Sequence, residues 1–113
     1  MKLVTDTISF TELENMAKAK FGDLVKAVVD VEKEIMVVDG ELHSDEEALL
    51  LEKGSKQENL WGINLYPREK EENWIEFDSV INLRPASGNR SRGVDNPEIK
   101  EKIAQIIHKL VKR

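Results

Sequence analysis

"LVKAVVDVEKEIMVVDGEL", residues 24–42, decides the fold class of this chain. With a period of two, Val25, Ala27, Val29 and Val31 share one side of a strand. With a helical period, Leu24, Val28, Val31 and Ile35 make a stripe instead. Valine is dense here, and β-branched side chains favour a pleated surface. The stretch is therefore predicted as two strands. The polar Glu32–Lys33–Glu34 would be the hairpin loop, and Asp39–Gly40–Glu41 the turn that ends the second strand. The loop lacks the Asn-Gly pair of a tight hairpin, so helix and strand both stay open at residues 24–38.

The flanks support a mixed fold. Upstream, "ISFTELENMAKAKFGD" (8–23) carries a capping box, with Ser9 as N-cap and Glu12 three residues on. Ile8 and Leu13 fit a hydrophobic staple, and Gly22 suits the C-terminal stop. Downstream, "HSDEEALLLEKGS" (43–55) reads as a short helix with Ser44 as N-cap, Glu47 completing a capping box and Gly54 ending it. "LWGINLY" (60–66) is predicted as a strand with Trp61 in the core. Pro67 and "REKEEN" form an exposed link. "WIEFDSVINL" (74–83) is predicted as a second strand ended by Pro85, with Trp74 at an interface. The closing "VDNPEIKEKIAQIIHKLVKR" (94–113) has Asp95 as N-cap, Pro97 in the first turn and Val94–Ile99 as a staple. Its apolar stripe is Ile99, Ile103, Ile106, Ile107 and Leu110. The expected architecture is α+β, a single domain over residues 1–113. It has a mostly antiparallel sheet of about four strands, one face covered by the N-terminal and C-terminal helices.

Composition narrows the function classes. The 113 residues are 40% hydrophobic and 35% charged, which suits one packed core under a solvated surface. A net charge of −5 opposes nucleic acid and anionic membranes. The absence of cysteine excludes disulfides, thiolate metal sites and a cysteine nucleophile. No stretch approaches a signal peptide or a membrane span, so the expected location is the cytoplasm.

Against this acidic background "NLRPASGNRSRGVDNPE" (82–98) is basic up to Asp95. Arg84, Arg90 and Arg92, with Asn89 and Ser91, could hold a small anion through guanidinium forks and backbone N–H groups. The loop also runs into a helix N-terminus, a common anion site. Asp95 and Glu98 lie where they could pair with Arg90 or Arg92 instead, which would make the loop a structural one. It is not a P-loop, because it lacks the Gly-Lys-Ser/Thr ending. Gln57, in the polar run Ser55–Asn59, and Asn64 are costly to bury and easy to replace when exposed. They are grouped with the loop as ligand-binding candidates.

His43 lies near Asp39, Glu41 and Asp45, which would favour its charged form. It is the candidate acid or base. The same acids, Asp39, Glu41 and Asp45, are the weak candidates for a divalent cation, although EF-hand spacing is absent. His108 falls on the polar face of the last helix. No cofactor is identified.

The segments "GELHSDEEALLLEKGSKQENLWGINLYP" and "WIEFDSVINLRPASGNRSRG" resemble those of a small family of uncharacterised prokaryotic proteins. The likeness runs over most of the chain, including the closing helix. The family has no established activity or ligand, so the resemblance implies no catalytic residues. It implies that both segments belong to one compact domain. Three readings follow. The first, ranked ahead, is a binding module for a small anionic or polar ligand. The second is a small hydrolase or transferase using His43 with an acidic partner. The third is a structural or interaction protein, as a homodimer through an apolar surface left by the sheet.

Overall fold

Residues 24–42 form the hairpin, in a computed structural model that describes residues 1–113. The strands are β1 (Lys2–Val4), β2 (Ile8–Ser9), β3 (Val25–Asp30), β4 (Ile35–Val38), β5 (Leu60–Leu65), β6 (Ile75–Glu76) and β7 (Val111–Lys112). The helices are α1 (Phe10–Lys20), α2 (His43–Glu52) and α3 (Pro97–Leu110). Five strands make one antiparallel sheet in the order β1-β4-β3-β5-β6, and β2 pairs with β7 in a small parallel ladder. The fold is α+β, its mostly antiparallel sheet flanked by N- and C-terminal helices.

A buried aspartate holds the hairpin turn in place of an Asn-Gly pair. Asp30 is 1% exposed. Its Oδ1 accepts from the Glu32 and Lys33 N–H groups at 2.9 Å each, and its Oδ2 from Ser55 Oγ at 2.6 Å. Glu34 then takes a left-handed φ of 57°, unusual for a side chain with a Cβ. Its carboxylate is gripped by Lys109 and Lys102 of α3, whose hydrogen bonds pull its pKa down to about 2.

The alternation of β3 sorts two cores. Val25, Ala27 and Val29 join the large core with α1 (Leu13, Ala17) and α3 (Ile103, Ile106, Ile107, Leu110). Val28 joins Val37, Leu60 and Leu50 of α2 in a smaller one. The N- and C-terminal helices α1 and α3 therefore share one face, as expected, and α2 lies on the other, where the sequence suggested that all helices would lie on one. The central strands have alternating apolar sets that both need cover, so an open face would leave β5 wet, yet all six of its residues are buried. The face expected for a homodimer is covered within the chain.

Helix α1 starts as its capping box predicts. Ser9 Oγ accepts from the Glu12 N–H at 3.0 Å. At the other end Gly22 has φ 95°, and the N–H groups of Phe21 and Gly22 both reach the Ala17 carbonyl. Ser9→Ala is expected to lower stability by about 1 kcal/mol. Urea unfolding should show it as a lower midpoint at unchanged slope; an unchanged midpoint would mean that the cap contributes nothing.

The other two caps differ from expectation. Helix α2 begins at His43, one residue before the predicted cap Ser44, and Leu42 at the N-cap position supplies no side-chain bond. His43 and Glu46 are turned inward, which sets the earlier start. Helix α3 is capped by Asn96, whose Oδ1 accepts from Glu98 N–H (2.8 Å) and Ile99 N–H (3.4 Å). The predicted cap Asp95 is turned back into the preceding loop.

The strand predicted over 74–83 survives only as β6, where Ile75 and Glu76 pair with Leu65 and Asn64. The chain then climbs over β5, because Gly62 lets Ser79 in. A Cβ at Gly62 would stand 2.6 Å from Ser79 Cβ and Oγ. Asn82 takes over the ladder with its side chain, accepting from the Gly62 N–H at 2.8 Å and donating to the Gly62 carbonyl at 3.0 Å. Arg84 donates to the Leu60 carbonyl. Two polar side chains thus satisfy a strand edge that no backbone reaches. Trp61 packs in the core as expected. Trp74 is not at an interface: it is 1% exposed, between Phe10 and His108. No helix is long and apolar enough to cross a membrane.

Candidate functional site

The arginine loop is built on its own backbone. Arg84 and Asn89 close it as a bridge, Arg84 N–H to Asn89 O at 2.9 Å and Asn89 N–H to Arg84 O at 3.1 Å. Pro85–Ser87 make a 3-10 turn between them, and Gly88 supplies the φ of 90° that completes it. Asn89 is 5% exposed. Its amide donates to the carbonyls of Asn82, Ser91 and Gly93 at 2.7, 3.1 and 2.9 Å, and its Oδ1 accepts from the Asp95 N–H at 2.8 Å. Asn89 is therefore consumed in holding the loop, with no free group for a ligand.

The three arginines separate into three situations. Arg92 pairs with Asp78 at 2.7 Å, both well exposed, a contact of small energetic weight. Arg90 is exposed and its guanidinium takes part in no ion pair. Its backbone N–H donates to Asp95 Oδ2 at 2.7 Å, while Ser91 Oγ donates to Asp95 Oδ1 at 2.5 Å. These bonds, Ser91's first, hold the Asp95 pKa below its usual value. The expected pairing of Asp95 with a guanidinium is replaced by pairing with loop backbone and Ser91, and Glu98 pairs with neither arginine.

Arg84 is the distinctive one. It is half-buried, its guanidinium 4.2 Å from the Trp61 ring centroid. Nη1 donates to the Gln57 carbonyl at 2.9 Å and Nη2 to that of Leu60. Nε is buried with no partner. No carboxylate lies within ion-pairing distance. Burial lowers the Arg84 pKa, with Glu47 acting against it; a guanidinium stays charged at neutral pH nonetheless. The Glu47 Oε2 is itself buried and unpartnered.

Arg84 lines a cleft of about 460 Å³ with Trp61, Ile99, Glu58, Ser87 and Asn96, Gly88 and Asn89 completing the wall. The α3 N-terminus adds no anion donor: Pro97 has no N–H, and Asn96 already accepts from Glu98 and Ile99. The expectation of a helix-end anion site is not met. Of the other ligand candidates, Gln57 contributes only its carbonyl, to Arg84. Asn64 lies at the β5–β6 pairing, donating to Glu76 Oε1 at 2.8 Å.

His43 is 8% exposed, and its Nε2 stands 2.8 Å from the Ile63 carbonyl. A carbonyl only accepts, so Nε2 carries the proton. Burial, the largest influence, pushes the His43 pKa down. The carboxylate that favours its charged form is Asp78 rather than the ones nearby in sequence, and loss of solvent outweighs it. Asp39, Glu41 and Asp45 line a second cleft of about 490 Å³ with Lys20, but no group of three carboxylates or histidines comes together to hold a metal.

Beside that cleft lies a further acid of the first turn of α2. Glu46 is fully buried. Its Oε2 accepts from the Gly40 N–H at 2.9 Å, and Oε1 has no partner. Gly40 is glycine because a Cβ would stand 2.6 Å from Glu46 Cγ. Burial pushes the Glu46 pKa up to about 9, with the Gly40 bond the main opposing influence. Helical spacing with Leu50, four residues on, was the available signal that Glu46 faces inward.

Among curated proteins and among solved structures nothing matches the chain. A family model does match, over residues 2–110, and by it the chain belongs to the family described as "Protein of unknown function (DUF5674)".

Proposed function

We propose that this is a cytoplasmic binding module that takes a small anionic or polar ligand in the Arg84 cleft. One observation carries the reading: Arg84 is a half-buried cation without a carboxylate partner, at the wall of a cleft. A charge withdrawn from water is costly unless something compensates it. Trp61, two carbonyls and, beyond ion-pairing distance, the Glu47 carboxylate compensate in part, and the first two fix the guanidinium plane. An anion docked on the second N–H groups of Nη1 and Nη2 would complete the compensation through charge-assisted hydrogen bonds. The His43 alternative has less behind it, since that imidazole is buried, neutral and committed through Nε2. Nucleic acid remains disfavoured by the net charge of −5.

The test is a thermal-shift and calorimetric panel of phosphate, sulfate, small carboxylates, amino acids and nucleotides. At least one is expected to raise the melting temperature by linkage. Arg84→Lys should weaken that binding by about tenfold or more, because lysine keeps the charge and loses the fork. Arg90→Ala should leave it unchanged. A panel without any shift, or equal binding by Arg84→Lys, refutes the reading.

A further inference from the structure

The Arg84 cleft contains two opposite charges that do not meet. Glu58, in the 3-10 turn Gln57–Asn59, lines it together with Arg84. Glu58 takes part in no ion pair, and neither does Arg84. The other polar walls are committed: Asn89 to four backbone groups, Asn96 to the cap of α3. That leaves Arg84, through the second N–H of each Nη, with Glu58 and Ser87 as the polar residues that line the cleft and are not committed elsewhere. Trp61 and Ile99 give the same space an apolar wall.

These groups select against a bare anion. A phosphate or sulfate on Arg84 would share the cleft with the Glu58 carboxylate and be repelled by it. A ligand with both signs meets no such penalty, because its cation can face Glu58 while its anion faces Arg84. The volume, about 460 Å³, is in the range of small-molecule pockets. Resting on the binding role of this cleft, we propose that its ligand is a small zwitterion, a free α-amino acid with an apolar side chain. Its carboxylate lies on the Arg84 fork, its ammonium against Glu58, and its side chain on Trp61 and Ile99.

The experiment is isothermal titration of the full chain with four probes: L-leucine, N-acetyl-L-leucine, L-leucinamide and inorganic phosphate. L-Leucine is expected to bind, and each of the other three at least about tenfold more weakly, since each lacks one partner charge or the apolar group. Glu58→Gln, at an exposed position, should weaken L-leucine by about tenfold and leave N-acetyl-L-leucine unchanged or tighter. Unfolding curves of the variant confirm that it is folded. Should phosphate or N-acetyl-L-leucine bind as tightly as L-leucine, or Glu58→Gln tighten L-leucine, the zwitterion assignment is overturned while the Arg84 anion site stands. Binding of L-leucine that survives Arg84→Lys unchanged overturns both, as does the failure of all four probes to bind.

Discussion

Replacing Glu46 by glutamine is expected to make the protein markedly more stable at pH 8 and no more stable at pH 4. The carboxyl is buried, with one hydrogen bond from Gly40 and one oxygen unpartnered. Burial raises its pKa from 4.5 to about 9. The sign follows from proton counting. Below pH 4.5 the group is protonated both folded and unfolded, so pH has no leverage through it. Between pH 4.5 and 9 the folded chain keeps the proton and the unfolded chain releases it. Unfolding is then increasingly favoured, by up to about 1.4 kcal/mol per pH unit. Glutamine keeps an acceptor for Gly40 and has nothing to titrate, so the variant escapes this slope. Urea unfolding at pH 4, 6 and 8 should give curves that separate steadily as pH rises. Equal separation at all three values would show that Glu46 does not hold its proton in the fold.

The second large effect is expected at Asn82. Its side chain stands in for a strand beside β5, bonding both the N–H and the carbonyl of Gly62, and it also donates to the Arg92 carbonyl at 2.9 Å. Asn82→Ala leaves both Gly62 groups without a partner in a place closed to water, since Asn82 is 0% exposed, while the Arg92 carbonyl keeps the Ser79 N–H at 2.9 Å. With each orphaned group costing about 1–3 kcal/mol, a total loss of about 4 kcal/mol is expected. That is a large share of the stability of a domain this size. Asn82→Asp should not rescue it. Aspartate can still accept from Gly62, but it sets a carboxylate against the two carbonyls that Asn82 serves as donor. Hydrogen exchange adds a local check, because the Gly62 amide should lose protection beyond what global destabilisation explains. If Asn82→Ala melts like the wild type, the side-chain ladder is not holding β5.

These residues show what was legible in the sequence. The hairpin at 25–38 could be read because valine density and alternation are local signals. The Ser9 cap could be read because its partner is three residues away. The strand over 74–83 was misread because its alternation is real to Glu76, and then Gly62, over a dozen residues earlier, draws Ser79 across β5. Asp95 and Asn96 are both good caps by type. The choice between them is made by Arg90 and Ser91, which need the aspartate. Likewise the arginine cluster was visible, but not which arginine would be half-buried. That depends on the Leu60 carbonyl at the uncovered edge of β5, a long-range circumstance. Strand β1 is only three residues long, and pairing with β4 makes it a strand. Glu58, half of the inferred site, was one acid in a polar run until the fold brought it to the same cleft as Arg84.

The small parallel ladder between β2 and β7 has a consequence for assembly. It joins Ile8 to Val111 and Ser9 to Lys112, partners about a hundred residues apart. The hairpin and β5 can zip from neighbours in the chain, whereas this ladder requires the search over the longest loop in the molecule. On a ribosome the first helix and its capping serine would emerge early and wait. The clasp that fastens them closes only after the last helix has been made, so a stalled or shortened chain would leave the N-terminal segment unlatched.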